Sequence, residues 1–288
     1  MTGPRVWLIT GASQGFGLEL ARVALSRGDR VIATSRNPEK VKAAFEPSEN
    51  FATARLDHNE PLPKVKAAIE SILTIFGTVD VVVNNAAYVQ TGLLEEVTPE
   101  DTLREFQANV FGPLNVYRAV LPHLREKGSG MLLTIGSMAA WYPMSGCNLY
   151  NASKAAIRWI GLGLAEEISS FGIQHCLIEP GFFKTDLLNP NSNIAKTDHV
   201  QRIPAYAELN DTSDKNFEAF HGAQLGDPVK GATIIYEVAT STGAAAGKKL
   251  PSLLPLGSDA CDQLVKASKQ VIEAVEELRG ISVLTDGN

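Results

Sequence analysis

Short apolar runs alternate with longer stretches in which apolar residues recur every three or four positions. Residues 5–10, 30–34, 51–56, 79–83, 131–135 and 173–179 are of the first kind, with the look of strands buried on both faces of a parallel sheet. Leu18, Leu20, Ala21, Val23, Ala24 and Leu25 keep helical spacing after the first run. Val65, Ala68, Ile69, Ile72, Leu73 and Phe76 do the same within a helix predicted over 61–76. Asn37-Pro38 opens a shorter helix, through Phe45. Thr98-Pro99-Glu100-Asp101 marks another start, with Pro at the first helical position and acids in the first turn. That helix is expected to run to Lys127 and to carry Asn109 in its middle. Gly128-Ser129-Gly130 turns the chain into the strand at 131–135, and a helix holding Tyr150 extends to Phe171.

Strand and helix alternate at the spacing of crossover units. The pattern predicts an α/β fold, a doubly wound parallel sheet of about seven strands with helices on both faces. The chain reads as one domain, 1–288, with no internal repeat, low-complexity tract or linker. Beyond Asp186 the pattern loosens. Residues 187–225 combine the turn signal Asn189-Pro190-Asn191 with weak helical patterning, and are expected to be an insertion that covers the substrate. A mobile lid and a permanently docked helical pair both fit it. Leu187, Leu188, Ile203, Tyr206, Phe217 and Phe220 give this segment an apolar side. Gly226-Asp227-Pro228 starts a further helix, residues 249–257 hold the last strand, Ser258-Asp259 caps a final helix to Arg279, and 281–288 form a loose tail.

A chain of 288 residues can bury roughly 75% of its unfolded surface and needs neither disulfide nor metal to fold. The net charge of −6 offers no basic stripe, which argues against nucleic acid as a partner. Cys147, Cys176 and Cys261 are odd in number and widely spaced, and read as reduced thiols. The five His form no ligand pair at i, i+4 and are expected in structural or surface roles. The first apolar run is too short for a signal sequence or a membrane span, so the expectation is a cytoplasmic protein without membrane contact. A homodimer or a homotetramer is the assembly left open.

The candidate chemistry collects where such sheets bind ligands, at the carboxyl ends of the strands. Gly11, Ser13, Gly15, Phe16 and Gly17 follow the first strand and lead into the first helix. Amides and helix dipole there would face an anion, with Gly11 allowing the tight turn, Gly15 close backbone approach and Gly17 close helix packing. No Gly-Lys-Ser/Thr is present, so a P-loop is disfavoured. The second strand ends in Ser35-Arg36, where an acid would hold a free ribose. A guanidinium at that place suits a 2′-phosphate, although a solvated loop Arg is the plain alternative. In the helix at 150, Tyr150 and Lys154 lie one turn apart on one face. A phenol titrates near ~10 unperturbed, and a neighbouring cation or the positive end of a helix would lower that value. Taken alone, such a pair is equally ordinary helix surface.

Thr10-Gly11-x-x-x-Gly15-x-Gly17, Asn84-x-Ala86, Asn109, Ser137, Tyr150-x-x-x-Lys154, Pro180-Gly181 and Thr185 stand in order over about the first 190 residues. In these motifs the sequence resembles the short-chain dehydrogenase/reductase family, in its compact single-domain branch. Ala87 departs from it, since the family more often has Gly there. The resemblance implies hydride transfer between a nicotinamide and a carbonyl or carbinol carbon, with NADP(H) as the cofactor. Tyr150 would be the proton donor, Ser137 would fix the carbonyl oxygen, and Lys154 would lower the Tyr150 pKa and hold the nicotinamide ribose. Asn109 would anchor a water that joins Lys154 to solvent. Asp57 would meet the adenine edge, Asn84 would brace its strand end, and Ser13 with Arg36 would take the 2′-phosphate. Ala86, Pro180, Gly181 and Thr185 complete the cofactor side.

Met138, Trp141, Met144, Cys147, Phe182, Phe183 and Leu187 flank these residues. A pocket lined by them suits a bulky apolar ketone or alcohol, as in the NADP-preferring hydroxysteroid, retinol and secondary-metabolite carbonyl reductases that the chain also resembles. Two other classes remain: a catalytically silent dinucleotide sensor or scaffold, and an epimerase or dehydratase of nucleotide sugars. The intact Tyr150, Lys154, Ser137 and Asn109 speak against the first. The glycine spacing and the modest C-terminal region speak against the second.

Overall fold

A computed structural model describes residues 3–188, 194–220 and 223–287. Its strands are β1 (Val6–Ile9), β2 (Arg30–Ser35), β3 (Phe51–Arg55), β4 (Val81–Asn84), β5 (Val89–Thr91), β6 (Gly130–Ile135), β7 (Ile173–Pro180), β8 (Ile194–Lys196) and β9 (Leu253–Leu256). Its helices are α1 (Gly15–Ser26), α2 (Pro38–Lys42), α3 (Leu62–Phe76), α4 (Pro99–Phe106), α5 (Gly112–Lys127), α6 (Asn148–Ser169), α7 (Ala207–Phe220), α8 (Pro228–Thr240) and α9 (Ser258–Ser282).

Seven strands form one sheet in the order β3-β2-β1-β4-β6-β7-β9, with every pairing parallel. Side chains alternate across it as strand geometry requires. Trp7 and Ile9 pack under α1 and α8 together with Leu20, Ile235 and Tyr236. Val6 and Leu8 point the other way, into Val65, Ile69, Ile72, Val116, Val120 and Leu124 of α3 and α5. Each fully buried Leu or Ile on these faces contributes about 1.5–3 kcal/mol. Strands that must be apolar on both sides explain why the runs in the sequence are continuous rather than alternating.

The chain departs from the predicted pattern in several places. The helix expected over 98–127 is interrupted by a π-helical turn, Gln107–Phe111. Pro113 lacks the N–H that would close on the Asn109 carbonyl, and the ladder widens so that the Gly112 N–H returns to the Gln107 carbonyl. Thr98 caps α4 as expected, its hydroxyl accepting from the Asp101 amide at 3.1 Å. Asp259 does not cap α9, whose N-cap is Gly257. Its carboxylate instead accepts from the Phe182 amide at 2.7 Å and ties the last helix to the loop after β7. The final helix continues to Ser282, and a 3-10 turn, Val283–Thr285, follows where a loose tail is expected.

Residues 194–220 are held to the body in several ways. β8 pairs in parallel with β5 in a second, two-stranded sheet. Glu96, buried, accepts from the Ile203 amide and the Asn210 side chain, both at 2.8 Å. Tyr206 donates to Glu95 at 2.8 Å. The expected turn at 189–191 and the side chains of Leu188 and Phe220 lie outside the described residues. Among the described residues no helix is long and apolar enough to cross a membrane. Cys147 and Cys176 are buried and Cys261 is exposed, all as free thiols.

One buried polar chain links the sheet to α5. The Tyr117 hydroxyl hydrogen-bonds Thr134, whose hydroxyl meets His175 Nε2 at 2.7 Å. Burial pushes the His175 imidazole down to about 4. A depressed folded pKa gives stability that is present above the unfolded value and is lost as pH falls toward the folded one. Between the unfolded value near ~6.5 and pH 4, the loss should reach about 3 kcal/mol. Urea denaturation of wild type and His175→Asn over this range checks it. The wild type should lose that much more stability than the variant, and equal losses would assign the titration to other groups.

Candidate active site

A cavity of about 740 Å³ runs along the carboxyl ends of β1, β2, β4, β6 and β7. It lies at the point where the strand order reverses, with β1 and β4 adjacent and their crossovers leaving in opposite directions. Its floor is fixed by the close meeting of two strand ends. The Thr10 hydroxyl donates to the Val83 carbonyl at 3.1 Å and accepts from the Asn85 and Ala86 amides at 3.0 and 3.2 Å. The Asn85 side chain donates to the Thr10 and Gly11 carbonyls at 2.9 and 3.1 Å. Gly11 has φ +63° and so close an approach to Ala86 that a Cβ would stand 2.8 Å from its Cα. A Cβ on Gly17 would meet Asn85 at 2.6 Å and the Gly11 carbonyl at 2.7 Å.

The glycine turn therefore forms a cradle with the N-terminus of α1 opening onto the cavity at Gly15. Gly15 has φ +56° and open space before it, bounded by Thr185. Such a cradle fits a pyrophosphate, which needs bare backbone at a helix N-terminus. Further along the wall stand Ser13, Ser35, Arg36, Asn37 and Lys40, then Asp57 and His58. The end of β2 thus presents two basic side chains and no acid to the cavity. Asn84, expected on the cofactor side as a brace of its strand end, does not line the cavity: its amide stays behind the wall and donates to the Pro113 carbonyl at 3.2 Å.

At the other end Ser137, Tyr150 and Lys154 share one wall. Ser137 is placed by its own turn, its hydroxyl accepting from the Ala139 amide at 3.0 Å as the cap of a 3-10 helix, Met138–Trp141. Its hydroxyl lines the same stretch of cavity as the Tyr150 phenol. Lys154 is 3% exposed and donates to the Ile135 carbonyl at 3.0 Å, with Nζ 5.7 Å from the centre of the Tyr150 ring. Burial pulls the ammonium down to about 8, and the Glu105 carboxylate opposes this. The expectation of a lowered Tyr150 pKa is corrected here. Burial raises the phenol well above its ordinary range, and the nearby Ser137 hydroxyl draws it back only in part. The Lys154 ammonium donates to the Ile135 carbonyl rather than to the phenol.

Asn109 lies behind this wall in the π-helical turn. Its side chain accepts from the Tyr88 amide at 3.1 Å and donates to the Tyr88 carbonyl at 2.9 Å, to Glu105 at 2.7 Å and to Ser153 at 3.1 Å. Met138, Met144, Cys147, Phe182, Phe183 and Leu187 line the cavity as predicted, joined by Tyr142, Ile194 and Phe217. The Cys147 thiol is pushed up to about 12 by burial and serves as an apolar wall. Trp141 is not on that wall, contrary to expectation. Its indole donates to Glu179 at 2.6 Å and stacks under Arg158 at 4.2 Å, with Met138, Ala260 and Leu264 beside it. A buried carboxylate in need of donors holds it there.

Comparison with known proteins now decides the family. The short chain dehydrogenase pattern matches residues 5–195. This chain belongs to the short-chain dehydrogenase family. Membership makes it an oxidoreductase that works with a nicotinamide dinucleotide. It is similar to "Oxidoreductase BOA17" of Botryotinia fuckeliana (strain B05.10), 32% identical over 97% of this chain and 98% of the relative. Its structure is similar to that of a short-chain dehydrogenase from Streptomyces avermitilis, with TM-score 0.85, 34% identity and coverage of 99% of this chain and 100% of the other. The solved structure of ElxO with NADP bound is similar at TM-score 0.68 and 25% identity, covering 87% of this chain and 96% of the other.

His58 lines the cavity and Glu105 is buried behind its wall, and sequence reasoning singled out neither. His58 was expected to be structural or superficial, yet it lines the cavity while its Nε2 donates to the Ala108 carbonyl at 3.0 Å. The Asp57-His58 juxtaposition at the end of β3 is the one signal that could have pointed to it. Glu105, four residues before Asn109 on a helix, could have been found from that spacing.

The two kinds of glycine in this fold should respond oppositely to a methyl group. Gly11→Ala should destabilise by about 1–2 kcal/mol from the left-handed backbone alone, with the Ala86 clash adding to it. Gly163 in α6 has open space around its Cα, and Gly163→Ala should stabilise by about 0.5–1 kcal/mol. Thermal melts of the two variants check this, and a neutral Gly11→Ala would contradict the close approach described.

Proposed function

We propose that this protein is an NADP(H)-dependent reductase of ketones, or dehydrogenase of the matching secondary alcohols, acting on bulky apolar small molecules. The observation that carries the reading is the shared wall of Ser137, Tyr150 and Lys154, at the apolar end of a cavity whose other end is a glycine cradle. NADP over NAD is supported by Arg36 and Lys40 on the wall at the end of β2, where NAD would call for an acid. A bulky apolar substrate is supported by the thioether, thiol and aromatic lining from Met138 to Phe217.

When bound, the nicotinamide supplies or accepts the hydride. The chain's own groups handle the proton and the geometry. Tyr150, a phenol at neutral pH because of its burial, donates its proton to the carbonyl oxygen as negative charge develops there. An alkoxide is a stronger base than a phenolate, so this transfer runs downhill even from a raised pKa. Ser137 hydrogen-bonds the same oxygen and holds it beside the phenol, two donors aimed where charge appears. Lys154 remains largely an ammonium at neutral pH, and it stabilises the phenolate that the transfer leaves behind. The apolar wall excludes water and strengthens each of these interactions.

Two substitutions test the reading. Charge-assisted hydrogen bonds contribute about 1.5–3 kcal/mol, so Arg36→Ala should weaken NADPH binding roughly ten- to a hundred-fold while leaving NADH nearly unchanged. Fluorescence titration of both cofactors measures this, and equal affinity of the wild type for the two would contradict the cofactor assignment. Tyr150→Phe removes one hydroxyl from a ring that stays packed against Cys147 and Phe217. NADPH binding should survive in this variant, and ketone reduction should fall by about 10²-fold or more. Undiminished turnover would remove Tyr150 from the role of acid.

A further inference from the structure

The buried carboxylate of Glu105 stands behind the site, off the cavity wall, and the mechanism above does not use it. It is 0% exposed, on α4 just before the π-helical turn. One oxygen accepts from the Asn109 amide at 2.7 Å and the Ser153 hydroxyl at 3.2 Å, and the other accepts from the Gln90 backbone amide at 3.0 Å. Ser153 is the neighbour of Lys154 on α6, and its hydroxyl also meets the Tyr150 carbonyl at 2.8 Å. The Asn109 and Gln90 amides fix this carboxylate, with the Ser153 hydroxyl sharing its one proton between it and the Tyr150 carbonyl, beside the helix that carries both members of the proton relay. Burying a carboxylate carries a desolvation cost that three hydrogen bonds only partly offset, so a plain structural role is poorly served by an acid here.

We infer that Glu105 is a positioning residue of the proton relay: its carboxylate, fastened between Asn109, Ser153 and the Gln90 amide, stands against the turn of α6 that carries Tyr150 and Lys154 and serves as the counter-charge of the buried Lys154 ammonium. The inference rests on the assignment of Tyr150 and Lys154 as that relay. Lys154 sits in an enclosure where burial alone favours the neutral amine, and the Glu105 charge opposes this alongside the hydrogen bond to the Ile135 carbonyl. Glu105 also raises the Tyr150 phenol. Both effects have the same sign, so the carboxylate holds the pair in the protonated form that reduction needs. Burial raises Glu105 itself to about 7, against its hydrogen bonds and the Lys154 charge.

The other titratable groups around it do not replace this role. From α6 and its cap come Tyr150, Lys154 and Cys147, the last protonated through burial. From the approach to β5 comes Tyr88, whose phenol burial raises to about 12 with Glu105 adding to it. On its own helix Asp101 and Arg104 pair with each other at 2.6 Å.

Carbon-13 NMR of the lysine Cε groups tests this without reference to turnover, with the Lys154 resonance assigned by its loss in Lys154→Arg. Glu105→Gln keeps the side-chain length and an acceptor for Asn109 and Ser153, and it gives up the charge together with the bond from the Gln90 amide. The Lys154 midpoint should fall by about one pH unit in that variant, and Glu105→Asp should restore part of the shift. The wild type supplies a second arm: its Lys154 curve should carry a second inflection where Glu105 takes up its proton. An unchanged midpoint in Glu105→Gln overturns the inference. If that variant does not fold, a single inflection in the wild type overturns it as well.

The kinetic arm keeps the two claims apart. With NADPH and a ketone, the basic limb of kcat/KM should move to lower pH in Glu105→Gln, with KM for NADPH changed less than about twofold. A melting temperature that drops while the limb stays in place would mean a structural role only. A wild type that reduces no ketone while its Lys154 titration shifts as stated would count against the proposed function and leave the Glu105 inference supported.

Discussion

Only a hydrogen fits between the end of β1 and the end of β4, because a Cβ on Gly11 would come within 2.8 Å of the Ala86 Cα. The Thr10 hydroxyl and the Asn85 amide lock this approach with five hydrogen bonds to the neighbouring backbone. The glycine turn and the end of β4 are thereby tied into one piece rather than left as two loops. Gly17 extends the same constraint to α1, whose N-terminus is pressed against Asn85. The sheet order then does the rest. With β6 beside β4 and β7 beside β6, Ser137 and Pro180-Gly181 must emerge on the same side as the glycine turn, and α6 brings Tyr150 and Lys154 over them.

The second constraint is electrostatic. The reacting end of the cavity is enclosed by Met138, Met144, Cys147 and Phe217, which favours neutral forms of everything inside it. An ammonium survives there only with partners, and Lys154 has the Ile135 carbonyl in direct contact. Ile194 and Phe217 add to the cavity lining, on a segment anchored by Glu96, by Glu95 through Tyr206, and by the pairing of β8 with β5. That puts part of the wall on the least regular part of the chain, as is usual where a rigid scaffold carries variable loops.

Much of this was legible in the sequence, for physical reasons that differ by element. Strands buried on both faces must be continuously apolar, so β1, β2, β4, β6 and β7 could be placed to within about two residues. The glycine turn was legible because bare backbone at a helix start has few other uses. Distant contacts were not. Asp259 looks like a cap to a reader of local sequence, and only the folded chain brings the Phe182 amide to it. Trp141 reads as pocket lining until Glu179, thirty-eight positions away, claims its indole. The pairing of β5 with β8 joins residues more than a hundred positions apart. The direction of the Tyr150 shift was misjudged for the same reason: the helical spacing shows a nearby cation, whereas the depth of burial that dominates is a property of the whole fold.

The central claim is that one continuous cavity holds a dinucleotide at its glycine end and delivers hydride and proton to a carbonyl at its apolar end. Incubation of the purified protein with NADPH carrying deuterium at one or the other face of nicotinamide C4, together with a bulky apolar ketone, tests it directly. A cofactor clamped in one orientation should pass deuterium to the carbinol carbon from one face only, as read by mass spectrometry of the alcohol. Transfer from both faces alike, or tight cofactor binding with no label in any alcohol across a panel of ketones, would contradict the account.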